Sequence, residues 1–185
     1  MVPLPEVQTA VVADAAGNLV VTRDAPVPDP APDQILLQTF AVAVNPVDVK
    51  LTGAMANENA TAGSDCAGVV VALGSDASAD GRFAIGDRVC AAFAPMNRLA
   101  PREGAWAEYA PATADFVLKV PDSMPLVSAA GLGIGVAAVG YALFRSLGIP
   151  GHPERPVTQP GRPVYVLVYG GSTASGTMAI QLIRK

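Results

Sequence analysis

The chain has 185 residues, of which 51% are hydrophobic and 15% are charged, and this composition excludes a disordered protein. The net charge is −4 and no basic cluster occurs, so we expect no nucleic-acid partner. The N-terminal stretch lacks the pattern of a signal peptide, and the two cysteines, Cys66 and Cys90, are typical of reduced thiols. We therefore expect a cytoplasmic protein. The apolar stretch Ser128–Phe144 is too short and too rich in small residues to prefer lipid, so no membrane association is expected.

The first 125 residues predict a series of short β-strands separated by turns. Gln8–Ala13 and Leu19–Thr22 flank the turn sequence Ala16-Gly17-Asn18, which indicates a hairpin. The proline-rich stretch Ala25–Asp33 cannot join a central strand. Further strands are predicted at Ile35–Val44, Ala67–Leu73, Ala84–Phe93, Ala105–Ala110 and Phe116–Val120. Strands at this spacing favour a small β-barrel or sandwich.

The pattern changes after Pro125. Leu126–Gly148 is rich in Ala, Gly and Leu and predicts one or two buried helices. The loop Gly148–Pro163 follows, and then Val164–Tyr169, an almost wholly apolar run, predicts a strand buried on both faces of a parallel sheet. A glycine turn and a second helix complete the chain, which is the order in which a dinucleotide-binding domain begins.

The glycine turn carries the residues of a candidate phosphate site. Ser172, Thr173, Ala174 and Ser175 bring hydroxyls and free backbone N–H groups to the start of a helix, where the helix dipole favours a phosphate. Against the dinucleotide pattern G-x-G-x-x-G, the residues are Gly171, Thr173 and Gly176, with threonine at the second position. An ordinary strand-to-helix turn therefore remains the alternative. A P-loop is rejected because Thr177 stands where a lysine is required.

Several segments together resemble one family. Four occur in the order and spacing of the medium-chain dehydrogenase/reductases, namely Asn45–Lys50, Gly63–Val70, Gly86–Val89 and Gly104–Tyr109. The apolar helix and the glycine turn complete the series. The chain is most similar to the zinc-independent, trans-acting enoyl reductases that work with fungal polyketide synthases, and quinone-reductase-like members are the alternative enzyme.

This resemblance implies an α/β fold with a β-rich part. Residues 1–125 would form a GroES-like catalytic β-barrel, and residues 126–185 the linking helices and the first βα unit of an incomplete Rossmann domain. The implied activity is NADPH-dependent hydride transfer to an α,β-unsaturated polyketide thioester. NADP(H) rests on the resemblance, because the residue that selects NADP follows the turn by about 20 positions and so comes after Lys185. A second hypothesis is a catalytically inactive, vestigial fragment or a synthase-binding module.

The resemblance also concerns the metal. A catalytic zinc in this family resembles a Cys–His–Cys/Asp site with its histidine in a Gly-His-Glu motif. The matching segment here is Gly63-Ser64-Asp65, and Asn45–Lys50 contains no cysteine. The one histidine, His152, lies in the proline-rich loop, where we expect it to be solvated. We predict no metal site.

The resemblance places Val47, Asp48, Val49 and Lys50 beside the nicotinamide. Lys50 is the candidate catalytic residue, since its cation can contact the cofactor or the enolate. The alternatives are a solvated surface lysine and, for Asp48, a helix-capping role.

A helical segment is the candidate acyl pocket, because its small residues leave room for a chain. By resemblance it consists of Gly135, Val136, Ala137, Ala138, Val139, Gly140, Tyr141 and Ala142. Tight helix packing is the alternative for these residues. We expect Trp106 and Tyr109 to be core anchors rather than ligands, and both cysteines to be buried apolar residues.

Overall fold

The computed structural model describes residues 3–151 and 165–184. It divides into two compact units, Met1–Ile134 and Gly135–Lys185, and each is described by itself. The division of roles between a catalytic domain and a nucleotide-binding domain stays a prediction.

The first unit contains all the strands of the described chain. The strands are β1 (Val7–Ala13), β2 (Leu19–Pro26), β3 (Gln34–Val42), β4 (Asp65–Leu73), β5 (Arg88–Ala92), β6 (Tyr109–Thr113) and β7 (Val117–Lys119). The helices are α1 (Pro46–Lys50), α2 (Ser75–Asp80), α3 (Leu126–Ala129) and α4 (Gly133–Gly140), with short 3₁₀ turns at Gly53–Met55 and Ala114–Phe116. Helix α4 begins in this unit and continues past residue 134.

Two antiparallel sheets organise the first unit. Strands β1 and β2 form the hairpin predicted from the sequence, and the other five lie in the order β6-β3-β4-β5-β7. Isolated bridges join Ala10 to Ala107 and Val12 to Thr61. The predicted β-rich region is therefore confirmed, although two strands differ from their predicted bounds. Strand β5 begins only at Arg88 rather than at Ala84, and β6 shares only residues 109 and 110 with the predicted strand Ala105–Ala110.

The core of the first unit follows the paired strands. Strand β3 lies between β4 and β6, and its residues Ile35, Leu36 and Leu37 have no exposed surface. Consecutive buried residues, rather than alternating ones, are what a strand covered on both faces requires. The exposed Phe40 shows that this cover ends before the strand does.

The second unit is helical in its described part. Helix α4 passes into a π-helical turn at Tyr141–Ser146, and helix α5 (Ala174–Ile183) follows later in the chain. Val139, Leu143 and Ala179 are the buried residues of its apolar cluster. Burial of these side chains joins the two helical segments.

The strand predicted at Val164–Tyr169 is wrong for the described residues 165–169, which form no strand. Val166 and Val168 are partly buried in the apolar cluster, but Tyr165, Leu167 and Tyr169 are 92%, 91% and 99% exposed. Burial therefore alternates as it does in a strand. Within the described chain no second strand offers ladder hydrogen bonds, and an unpaired segment does not form a sheet.

The helical segment Leu126–Ser146 is 21 residues long and, by length and composition alone, long and apolar enough to cross a membrane. Buried core helices have the same properties, and 39% of its most apolar window is buried here. The absence of a membrane partner stays a prediction.

Candidate functional site

The segment Asn45–Lys50 contains a short helix, α1, that is anchored by a buried carboxylate. Pro46 occupies the first helical turn, where its missing N–H costs nothing. The Asp48 side chain is 2% exposed; its Oδ2 accepts a hydrogen bond from the Asn45 backbone N–H at 2.7 Å, and its Oδ1 accepts one from the Ser64 hydroxyl at 2.6 Å. The capping role considered for Asp48 therefore describes its geometry, and both of its oxygens are occupied within the protein.

The other three predicted residues of this segment are exposed. Val47 and Val49 present apolar side chains with 40% and 68% of their surface accessible, and the Lys50 side chain is also exposed. A cationic side chain and two aliphatic ones are therefore available to a ligand on the outer side of α1.

The segment that matches the family's zinc motif forms a buried polar pair at the start of β4. Ser64 and Asp65 are 1% and 0% exposed. The Asp65 carboxylate accepts hydrogen bonds from Asn45 Nδ2 at 2.8 Å and from the Ile134 backbone N–H at 2.5 Å. Its burial raises the pKa of this carboxyl to about 6, because the charged form loses water that these two donors only partly replace.

In residues 3–151 and 165–184, no group of three His, Cys, Asp or Glu side chains is placed to hold a metal ion. His152 lies outside the described residues. The prediction that the protein uses no metal stays a prediction drawn from its residues.

The glycine turn leads directly into α5. This helix begins at Ala174 with Thr173 as its N-cap, within the residues that the sequence placed at a helix start. The Thr173 hydroxyl accepts a hydrogen bond from the Gly176 N–H at 3.1 Å and donates one to the Gly170 carbonyl at 2.8 Å. A Cβ at Gly176 would lie 2.2 Å from that carbonyl, so glycine permits the turn itself to close.

This helix start fits a phosphate. The amides of Ala174 and Ser175 have no acceptor within the helix, since they belong to its first turn. The Ser172 and Ser175 side chains are exposed beside them. Because the Thr173 hydroxyl serves as the cap, an anion would meet these two amides and the two serine hydroxyls first.

The candidate acyl-pocket segment has two different faces. Gly135 lies against α5, since a Cβ there would come within 2.5 Å of the Met178 sulfur, and Val139 is buried in the same cluster. Ala138, Tyr141 and Ala142 are exposed, whereas Val136, Ala137 and Gly140 are half-buried. Tight packing therefore describes one face of the segment, and only the other face is accessible to a ligand.

The predicted core anchors occupy structural positions. Trp106 packs against two core clusters, and its Nε1–H donates to the Ala43 carbonyl at 3.1 Å. Tyr109 is half-buried and begins β6. Cys66 and Cys90 are buried free thiols whose pKa values burial raises to about 12 and about 11, so they stay neutral apolar side chains.

Sequence reasoning missed the pairing of Asp65 with Asn45 and Ile134. One signal was present: two polar residues, Ser64 and Asp65, stand directly before the apolar run of β4. Burying polar groups there requires partners, and the pattern indicates the need without identifying them.

Known proteins resemble this chain along nearly its whole length. The profile of the alcohol dehydrogenase GroES-like domain matches residues 31–122. The trans-enoyl reductase thnE of Trichoderma harzianum is 48% identical over 98% of this chain, and the trans-enoyl reductase FSL5 of Gibberella zeae is 46% identical over 100% of it. The match covers 50% of each relative, so the chain spans about half the length of the curated relatives it matches.

Solved structures show the same fold. An alcohol dehydrogenase superfamily protein from Novosphingobium aromaticivorans superposes with a TM-score of 0.73 at 26% identity, over 96% of this chain and 50% of that one. A mycobacterial protein complexed with NADPH superposes with a TM-score of 0.62 at 26% identity, over 79% of this chain and 44% of that one. The chain belongs to the medium-chain dehydrogenase/reductases and is similar to fungal trans-enoyl reductases.

Proposed function

We propose that this chain is part of an NADPH-dependent enoyl reductase that acts in trans on an α,β-unsaturated thioester carried by a polyketide synthase. The observation that carries the proposal is the 48% identity, along nearly the whole chain, to a protein named as a trans-enoyl reductase. The NADPH complex of the mycobacterial neighbour supports the nature of the cofactor.

The start of α5 is the proposed binding site of the cofactor's pyrophosphate. The N–H groups of Ala174 and Ser175 point out of the helix end, and the helix dipole adds positive potential there. The hydroxyls of Ser172 and Ser175 supply further donors, and Thr173 keeps the amides in place as the N-cap. When bound, NADPH supplies a hydride for the β-carbon of the enoyl group.

Helix α1 is the proposed contact of the nicotinamide end. Val47 and Val49 offer an apolar surface that excludes water, and Asp48 holds the helix through its bonds to Ser64 and Asn45. Lys50 is the proposed catalytic residue. Its ammonium group stabilises the negative charge that develops on the thioester oxygen as the enolate forms.

The exposed face of the segment 135–142 is the proposed contact of the acyl chain. Ala138 and Ala142 leave space beside the helix, and the 66% exposed Tyr141 adds an aromatic surface and a hydroxyl. Gly135 and Val139 keep the segment packed on α5 and so support this face from behind.

A titration of the ¹⁵N-labelled 185-residue chain with NADPH tests the cofactor site. We expect amide shifts at Ala174 and Ser175 and in α1, with a dissociation constant no lower than the millimolar range, because the glycine turn and α5 provide only part of such a site. Ser175→Asp should abolish the shifts at α5, since it places a negative charge beside the phosphate. Ser78→Asp, which adds the same charge on exposed α2, is the matched control.

Three results would contradict this proposal: a micromolar dissociation constant, shifts confined to other residues, or equal effects of the two aspartate variants. The genomic sequence after the last codon separates the reductase from an inactive fragment, since an in-frame continuation supports the reductase. In the reductase that such a continuation encodes, a crotonyl thioester should drive NADPH oxidation, and Lys50→Ala should reduce kcat more than 10-fold. Oxidation driven by a benzoquinone alone would favour the quinone-reductase alternative.

A further inference from the structure

A single buried carboxylate connects two helices whose starts are far apart in the sequence. Asp65 stands at the beginning of β4 and has no exposed surface. Its Oδ2 accepts from the side chain of Asn45, the residue that precedes α1. Its Oδ1 accepts from the backbone N–H of Ile134, in the first turn of α4. Each oxygen thus holds a different helix.

Two further backbone segments lie close to Asp65. A Cβ at Gly133 would lie 2.7 Å from Oδ1 and 2.5 Å from the Ala91 carbonyl oxygen, so the start of α4 rests directly on β4 and β5. The Ala43 N–H donates to the Asp65 carbonyl at 3.1 Å, which ties the approach to α1 to the same residue. The side chain of Asp65 therefore bonds to both helix starts, and its backbone carbonyl adds a bond before α1.

The electrostatic surroundings make these two bonds important. The titratable groups around Asp65 are the carboxylate of Asp48 from α1 and the thiols of Cys66 and Cys90 from β4 and β5. None of them offers a positive charge. Within residues 3–151 and 165–184, Asp65 therefore depends on its hydrogen-bond donors rather than on a cation, so the loss of either donor has a high energetic cost.

We propose that Asp65 is a positioning residue of the reductase site, which fixes α1 and the start of α4 at the beginning of β4, the central strand of the sheet. The inference rests on the proposed function, because α1 carries Lys50 and α4 leads into the proposed acyl contact. Asp65 itself is buried and touches neither ligand.

Hydrogen exchange in the 185-residue chain, without cofactor, tests the two connections. We expect Asp65→Ala to speed exchange at least 10-fold both at the Ile134 amide and at the Leu51 amide, which closes α1 onto Val47. Asn45→Ala should speed exchange in α1 alone and leave Ile134 protected. The exchanged pair, a double variant that combines Asn45→Asp with Asp65→Asn, should restore protection at both amides. In it the side-chain amide at position 65 donates to the carboxylate at position 45, so the hydrogen bond is kept with its direction reversed.

A pH titration adds a readout that packing alone would not produce. The ¹H shift of the Ile134 amide should move through a midpoint near the pKa of Asp65, about 6, and this transition should vanish in Asp65→Asn. With NADPH, Asp65→Ala should remove the shifts in α1 and keep those at Ala174 and Ser175.

The outcomes distinguish the two proposals. If wild type shows no NADPH shifts while the exchange pattern holds, the proposed function fails and the connection through Asp65 stands. If Asp65→Ala leaves either helix protected, or speeds exchange equally in every strand, the positioning role is wrong. If Asp65→Ala does not fold, the positioning role is tested by Asn45→Ala and the exchanged pair. Failure of the exchanged pair to restore the protection of the Leu51 amide overturns that role.

Discussion

Strand β3 and the segment 165–169 are both apolar, but only β3 forms a strand. In β3, hydrogen bonds run to a strand on each side, and Leu37 is completely buried. In the segment 165–169, Leu167 is 91% exposed, although its neighbours Val166 and Val168 pack inward. The composition of the two stretches is similar. An apolar run thus forms a strand only where other strands complete its hydrogen bonds.

The largest expected effect tests this difference in burial at two leucines, one in each stretch. Leu37→Ala should lower the free energy of unfolding by about 3 kcal/mol, because it removes a fully buried side chain and leaves a cavity. Leu167→Ala should change it by less than about 0.5 kcal/mol, since the side chain is exposed. Urea unfolding followed by far-UV circular dichroism, to which the helices and strands of both units contribute, measures both. A loss of 2 kcal/mol or more for Leu167→Ala would show that residues 165–169 are packed.

The next effect concerns the buried charge in the first unit. The pKa of Asp65 is about 6 in the folded protein, above its ordinary value of 3.8, so the folded state binds this proton more tightly than the unfolded state. Its contribution to stability is therefore greatest below about pH 4 and is lost as the pH rises through 6. The loss is about 3 kcal/mol by linkage.

Urea unfolding at pH 4 and pH 7 measures this contribution. Between pH 4 and pH 7, the free energy of unfolding of Asp65→Asn should rise relative to that of wild type by about that amount. Asp87→Asn is a control of opposite sign, because Lys119 holds the pKa of Asp87 below its ordinary value. Asp87 should stabilise the fold above its unfolded pKa and lose this contribution as the pH falls. A pH-independent effect of Asp65→Asn would contradict the prediction.

The smallest effect sharpens the description of the second unit. Thr173→Ala should cost about 1 kcal/mol, because it removes the N-cap acceptor of the Gly176 N–H. Thr177→Ala is the matched control, since its hydroxyl only donates to the Ala174 carbonyl within the helix. Exchange of the Gly176 amide should accelerate about 5-fold in Thr173→Ala and not in Thr177→Ala. Equal behaviour would mean that the cap does not hold the turn.

Local patterns were enough for much of the fold. The Ala16-Gly17-Asn18 turn and its flanking apolar runs predicted the hairpin of β1 and β2, because such turns depend mostly on their own residues. Helix α1 was not predicted, although Pro46 and Asp48 are typical of a first helical turn. Five residues are too few for a periodic signal.

For the candidate site, the sequence singled out the segments but not their contacts. Ser172 and Ser175 lie at the start of α5 and Lys50 lies at the end of α1, and their roles stay predictions. The role of Thr173 as cap depended on the carbonyl of Gly170, whose position follows from the turn. Likewise, only the packing of Gly135 on Met178 showed which face of α4 is covered.

Local periodicity and motifs along the chain were enough to indicate the β-rich first part, the glycine turn and the family. Tertiary structure decided which polar groups are paired and which apolar runs are covered. The hydrogen-bond donors to Asp65 lie 20 and 69 residues away in the sequence. Within the described chain, the segment around Leu167 has no neighbouring strand to pair with. Burial and hydrogen bonding over such separations arise only when the chain is folded, because they are properties of neighbours in space.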